Sequence, residues 1–496
     1  MVSFLAVACS ADPGVVTDAA RESPTAAPAP TTAEPPASTT PDTTSTEPPA
    51  SPPDTEAPPS IPTGESMIDE GDAKPEREYD DFLDAALHDI QLWWSVQYPA
   101  IYDDPLRPLR GGVYAAYPER TDPIPGCGQS QETTYEEIAE FAAFYCPEGD
   151  FMVYDDGEDG VLFSLAAEFG STILGVVMAH EFGHAIQARA GVIRRDVATI
   201  ITEQQADCFA GAWVAHARSG ESETIEFTDD DVRIGLLAMI TVRDPIGVDQ
   251  FSEGGHGSAF DRVGAFQVGF TEGAARCAEL IDDPLPLVPN VLQPGSNPKG
   301  NAPFGYEDNQ IVTIIARDLN DFWPQALASV DAELPALTVV PVDGADDVDC
   351  DDPAGDLATG AVYCAATREV FLEEGFARDL YGRFGDFVVG YMLGEAWSEA
   401  AQQALGSRLA GEDRALLSDC LTGAWVADII PDAQGRTPRG GARIEAGDLD
   451  EAIRTALIVG DDTSTDDVLG SGFEKIASFR EGVLDGIPAC TARLPD

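Results

Sequence analysis

Residues Ala206–Ala215 read ADCFAGAWVA, and residues Ser418–Ala427 read SDCLTGAWVA. Asp207, Cys208, Gly211, Ala212, Trp213, Val214 and Ala215 each meet the same residue in the second stretch. A second pair of stretches follows in the same order: Ala259–Phe270, AFDRVGAFQVGF, and Gly472–Val483, GFEKIASFREGV. Each precedes a cysteine, Cys277 or Cys490, which lies 69 or 70 residues after Cys208 or Cys420. Upstream, Phe144-Tyr145-Cys146 answers Val362-Tyr363-Cys364, and Asp89–Trp94 (DIQLWW) answers Asp318–Trp323 (DLNDFW). Self-similarity at this spacing means two copies of one structural unit. The copies are expected over residues 76–285 and 306–496, with a Pro/Gly-rich joint at 286–305.

The cysteines follow the repeat. Apart from Cys9 there are eight, and pairing within each copy joins Cys127 with Cys146, Cys208 with Cys277, Cys350 with Cys364 and Cys420 with Cys490. Four pairs in register fit an exported protein, since structural disulfides persist in oxidising compartments. The first eleven residues, MVSFLAVACSA, are a short apolar stretch ending in small residues before Cys9, which resembles the tail of a bacterial lipoprotein signal. Residues 12–75 are rich in Pro, Thr, Ala, Ser and Glu, a composition that cannot bury enough apolar surface to order itself, so a stalk-like linker is expected there. The expected setting is extracellular or membrane-anchored, with membrane contact only through a lipid on Cys9.

Acidic residues number 88 against 28 basic ones, a net charge of −60. Such a chain has no means of neutralising a phosphate backbone, which excludes nucleic acid as a partner. No run of eighteen apolar residues offers a membrane-spanning helix.

The chemistry concentrates at His180-Glu181-Phe182-Gly183-His184. Apolar positions from about Leu165 to Ala190 recur at helical spacing, and residues four apart on a helix lie about 40° apart around its axis. Both imidazoles therefore project from one face and can share a metal, while Glu181 points beside them towards a water. With only five histidines in the chain, a chance pattern is improbable. A catalytic zinc site takes three protein ligands and leaves one position open. Nineteen residues on, Glu203-Gln-Gln-Ala-Asp207 offers Glu203 as the third ligand and Asp207 as acceptor for the free N–H of a ligating imidazole. A lone glutamate on a helix of so acidic a chain is ordinarily just a solvated face, so Glu203 needs context.

That context is a resemblance. His180–His184, then Glu203–Trp213, with Phe144–Pro147 and Val153–Asp155 upstream and His256-Gly257-Ser258 and Arg262-Val263 downstream, look like the bacterial neutral zinc metallopeptidase family. The resemblance covers the first copy. It implies a zinc peptidase acting on a peptide or protein substrate, with Zn2+ on His180, His184 and Glu203 and with Glu181 as general base. Gln204 and Ala185 depart from the family's usual residues without touching a proposed ligand. His256, in the Gly-rich loop Gly254–Gly257, is a further catalytic candidate as an oxyanion stabiliser, beside the alternative of a structural hydrogen-bonding residue.

In the second copy Gly394 and Ser398 stand where His180 and His184 stand in the first, Glu395 remains, and Ala415 replaces Glu203. No histidine follows His256, so this copy is a degenerate, non-catalytic unit expected to pack on the first, with Asp419 as a surface or capping carboxylate. The fold expected is mainly α, α+β with short strands, as two tandem homologous zincin-like units, the second lacking the metal site. The rival reading is a cell-surface binding or scaffold protein with a vestigial or structural zinc site.

Overall fold

The computed structural model describes residues 66–495 except positions 129, 140, 193–195, 250, 253, 289, 291–304, 307–309, 329–331, 352, 356, 433–435, 440 and 461–470. Cys9, the signal-like start, most of the expected linker and most of the expected joint lie outside the described residues.

The first unit runs β1 (Ile68–Asp69), α1 (Asp80–Tyr102), β2 (Gly112–Ala116), β3 (Ile124–Pro125), β4 (Glu132–Thr133), α2 (Tyr135–Ile138), β5 (Ala143–Cys146) and β6 (Phe151–Asp155). Helices α3 (Val161–Phe169), α4 (Thr172–Arg189), α5 (Thr199–Ser219), α6 (Asp229–Thr241) and α7 (Ala259–Glu279) complete it. The second unit repeats the plan with α8 (Gln310–Leu327), β7 (Thr338–Val342), β8 (Pro353–Ala354), β9 (Ala361–Cys364) and β10 (Glu369–Glu373). Its later helices are α9 (Glu374–Arg383), α10 (Phe387–Ala404), α11 (Glu412–Ile429), α12 (Asp448–Gly460) and α13 (Gly472–Thr491). The protein is thus mainly α with small sheets, in two tandem units.

The sheets show the duplication strand by strand. One has the order β1-β2-β6-β5 and the other β7-β10-β9-β8. In each, a parallel pair (β2 with β6, β7 with β10) is followed by an antiparallel neighbour ending in a cysteine (β5 at Cys146, β9 at Cys364). Aromatic and β-branched residues such as Val153 and Tyr154, or Val370 and Phe371, suit strands buried on both faces. The four cysteine pairs join within their units: 127–146, 208–277, 350–364 and 420–490.

Each unit is built around one helix. α4 packs against α1, α3, α5, α6 and β5, and α10 against α8, α9, α11, α12 and β9. A helix enclosed on all sides is apolar all round, and from Thr172 to Gly183 every residue of α4 is buried. The repeated GAW segment explains the next layer. A Cβ on Gly211 would lie 2.0 Å from the Phe266 carbonyl oxygen, and one on Gly269 1.8 Å from that of Cys208. Only glycine permits α5 and α7 to touch backbone to backbone, and Gly423 and Gly482 repeat both contacts between α11 and α13 at 2.0 and 1.8 Å. Trp213 Nε1 donates to Asp89 at 2.8 Å and Trp425 Nε1 to Asp318 at 2.9 Å, which accounts for the Asp at the head of each DxxxxW stretch.

Two expectations change. The helix expected from about Leu165 to Ala190 is two helices, because Gly170, with φ +90°, closes α3 before α4 begins. The end of the segment read as linker is also part of the fold: Ile68–Asp69 pairs in parallel with Val113–Tyr114, and Lys74 forms an ion pair with Asp80 at 2.5 Å. Met67 and Ile68 carry the apolar surface that the preceding Pro/Thr-rich residues lack.

Candidate metal centre

His180, Glu181 and His184 lie on α4, Glu203 and Asp207 on α5, and His256 on the segment between α6 and α7. Helices α4 and α5 cross closely where a Cβ on Gly183 would lie 3.1 Å from Ala206 Cα, so the two imidazoles come alongside Glu203. The rings of His180 and His184 stand perpendicular, 4.8 Å apart. His180 Nε2 is 3.3 Å from Glu203 Oε2, and His184 Nε2 is 3.5 Å from Glu203 Oε1. Tetrahedral zinc with bonds of about 2.0–2.1 Å has ligand-to-ligand edges of about 3.3–3.4 Å, so both histidine-to-glutamate spacings fit one such ion. His184 Nε2 and Glu203 Oε2 are moreover sealed from solvent without a hydrogen bond, a costly state for polar atoms that a shared cation removes.

The other ring nitrogens are fixed. Asp207 Oδ1 lies 2.7 Å from His180 Nδ1, and Gln187 Oε1 lies 2.9 Å from His184 Nδ1. With Nδ1–H donated to these acceptors, Nε2 is the atom that each ring would offer to a bound ion. Asp207 is itself gripped by Arg262 of α7, whose Nε donates to Oδ2 at 2.8 Å and NH2 to Oδ1 at 2.6 Å. Gln187 donates in turn to the Thr202 carbonyl at 2.6 Å.

His180, Glu181, Glu203 and His256 are each only 2–4% exposed. Burial raises the Glu181 carboxyl, with the neighbouring histidines partly offsetting it. Burial disfavours the His184 imidazolium, but the Glu203 carboxylate outweighs it and the ring is pushed up to about 10. For Glu203, burial is overcome by His184 and His256, which hold it well below the usual carboxylate range. His256 Nε2 lies 4.0 Å from Glu203 Oε2, and its Nδ1 lies 3.3 Å from Asp244 Oδ1. Asp244 Oδ2 also accepts the backbone N–H groups of His256 and Gly257, at 2.9 and 2.8 Å. All six residues expected in the site thus converge. Gln187, Asp244 and the grip of Arg262 were not read from the sequence, because each depends on helix crossings and loop paths that carry no local pattern.

The second unit shows what replaces the centre. Lys475, at the position of Arg262, places Nζ 2.7 Å from Asp419 Oδ2 and 3.7 Å from Glu395 Oε2. The Tyr391 hydroxyl donates to Asp419 and Thr422 donates to Glu395 at 2.9 Å. Asp419 is fully buried, not the surface or capping carboxylate expected, because the Lys475 ammonium neutralises it inside the core.

A helix-borne group of two imidazoles and a carboxylate, with its Nδ1 acceptors in place, defines a candidate mononuclear metal centre of the metallohydrolase class. The chain belongs to the family described as "Putative neutral zinc metallopeptidase", whose pattern matches residues 64–279 and again residues 292–482. That family implies a zinc-dependent hydrolase. Among curated relatives, the uncharacterized protein Rv2575 of Mycobacterium tuberculosis is 29% identical over 170 residues, 30% of this chain and 55% of its own. The uncharacterized protein YpfJ of Escherichia coli K12 is 30% identical over 181 residues, 31% of this chain and 56% of its own. The chain spans about half the length of these relatives. No solved structure is significantly similar to it.

Proposed function

We propose that the first unit hydrolyses peptide bonds, with zinc on His180, His184 and Glu203 and with Glu181 as the general base. The observation that carries this reading is a buried carboxylate, Glu181, in the field of three donors grouped closely enough to hold one ion. When bound, zinc polarises the scissile carbonyl and lowers the pKa of a water towards neutrality. Glu181 takes the proton of the attacking water and returns it to the leaving amine. Its raised carboxyl suits a group that must both accept and release a proton near neutral pH. His256, held through Nδ1 by Asp244, would donate from Nε2 to the oxyanion of the tetrahedral adduct. Asp207 and Gln187 keep both ligating rings in the tautomer with a free Nε2.

The near-complete burial of the donors favours, as the second reading, a zinc that only stabilises a binding scaffold. The two readings part at Glu181. Metal content and cleavage of an unbiased peptide library are to be measured on the purified chain and its variants. One zinc per chain is expected, lost in His184→Ala and Glu203→Ala. Glu181→Gln should keep the zinc and lose about 10²–10⁴-fold in rate. One bound zinc with no cleavage of any peptide by the wild type would sink the peptidase reading.

A further inference from the structure

Three carboxylates meet in the second unit where the first has one. Asp386, just before α10, and Asp448 and Glu451 of the first turn of α12 each bring an oxygen within 4.8 Å of the others. All three side chains are buried, at 3%, 5% and 4% exposure. At the corresponding place in the first unit, the Thr172 hydroxyl donates to Asp231 of α6 at 2.5 Å, so a neutral donor meets a single acid. The second unit has replaced that threonine by Asp386.

The surrounding charges leave the group acidic. Glu445 is matched by Arg443 at 2.8 Å, and Asp450 by Arg243 of the first unit at 3.1 Å. Arg454, a turn further along α12, lies in the field of Asp450 and Glu451, yet burial and Arg243 hold its pKa below the usual value. Among the described residues, neither Asp448 nor Glu451 forms an ion pair with a Lys or Arg. Asp448 Oδ2 accepts the Glu445 backbone N–H at 2.8 Å, and Glu451 Oε2 accepts that of Phe387 at 2.8 Å. Glu451 Oε1 is sealed from solvent and has no donor. It fits only because residue 385 is glycine, at φ +144°, where a Cβ would lie 1.9 Å from this oxygen. Beside the group is a cavity of about 20 Å³ lined in part by Asp386, Glu445 and Asp448, enough for one water.

Three buried carboxylates this close repel one another and resist ionisation, and burial with mutual repulsion pushes Asp448 and Glu451 well above the usual range. Asp448 and Glu451, which have no Lys or Arg partner among the described residues, either hold protons or share a cation. We propose that Asp386, Asp448 and Glu451 form a second metal site, for a hard divalent cation of the calcium class, present only in the second unit. The donor set is all oxygen, with no histidine or cysteine, which selects calcium or magnesium over zinc. The orphaned Glu451 Oε1 supplies a ready ligand and the cavity room for a ligating water.

The test uses the full chain, stripped of metal and reloaded with one equivalent of zinc. Calcium chloride is titrated at pH 7.5 with calorimetry and thermal unfolding as readouts, and magnesium chloride serves for comparison. One calcium per chain is expected, with Tm rising as calcium rises. Asp386→Thr, which restores the residue of the first unit, and Glu451→Gln should each weaken binding at least tenfold without changing zinc content. A flat titration to millimolar calcium in the wild type overturns the site, as does unaltered binding in both variants. With a flat titration, a wild-type stability that falls as pH rises above the usual carboxylate range, and that Asp386→Thr renders pH-independent there, would identify shared protons as what holds the carboxylates together.

Discussion

Arg262 reaches His180 only through Asp207, and that indirect route determines what its loss should do. Its guanidinium grips both oxygens of a carboxylate that is fully buried and whose other task is to hold His180 Nδ1. Arg262→Ala leaves that carboxylate buried without its cation, a far costlier state than a lost surface pair. Asp207 then has reason to take up a proton or turn away, and His180 loses the acceptor that orients its Nε2 towards the proposed zinc. Groups that orient ligands in this way contribute about 10–100-fold in metal affinity. Arg262→Ala is therefore expected to weaken zinc binding by that factor, read by competition with a chromogenic chelator. Arg262→Lys should recover part of it, since Lys475 already serves Asp419 from the matching position of the second unit. Equal zinc affinity in wild type and Arg262→Ala would show that Asp207 holds the ring unaided.

At the level of elements, each unit depends on two helices brought into backbone contact. α5 and α7, and α11 and α13, meet through a glycine on each side and are closed by a disulfide spanning 69 or 70 residues. Gly211→Ala must push α7 from α5 and so displace Arg262 from Asp207, whereas Gly423→Ala pushes α13 from α11 and leaves the α5–α7 crossing in place. Overpacking of this kind costs about 1–3 kcal/mol. Urea unfolding should show a loss of that size for both variants, with zinc affinity reduced only in Gly211→Ala. Unchanged midpoints in both would mean that the helices can slide apart without cost. These contacts explain why the duplication was legible: a glycine at a helix crossing, a Trp bonded to a buried Asp and a paired cysteine tolerate no substitute, so they survive in both copies. The two imidazoles proposed as ligands stood out for a similar reason, because donors that could share an ion lie one helical turn apart, whereas Glu203 was singled out only through the family resemblance. Position along the chain hid the rest. The burial of Asp419 follows from Lys475, 56 residues away, and Asp244 holds His256 across a loop whose path no periodicity encodes. The break at Gly170 was visible as a residue, but nothing in the local apolar pattern marked it as the positive-φ residue that ends α3.

Over the whole molecule, the two units share a seam that reaches towards the candidate centre. Gln267 of α7 donates to the Phe473 carbonyl of α13 at 2.8 Å, and the Phe270 and Phe473 rings lie 5.0 Å apart. Arg480 of α13 stacks over the Phe260 ring at 4.1 Å and donates to the Phe260 carbonyl. Asp450 of α12 accepts the Phe260 backbone N–H at 3.2 Å through one oxygen and pairs with Arg243 at 3.1 Å through the other. Arg243 directly precedes Asp244, and Phe260 comes two residues before Arg262. One carboxylate of the degenerate unit therefore fastens both ends of the segment that carries Asp244 and His256. Losing it should leave the donors on α4 and α5 in place while the His256 segment moves. A displacement of about 1 Å in a positioned catalytic group can cost about 10²-fold in rate. Asp450→Ala is accordingly expected to lower kcat by ten- to a hundredfold with one zinc still bound. Asp450→Asn, which can still accept the Phe260 N–H but loses the charge facing Arg243, should fall between the two. If Asp450→Ala lowers only Tm and leaves kcat and KM as in the wild type, the second unit supports the fold of the first without positioning its chemistry.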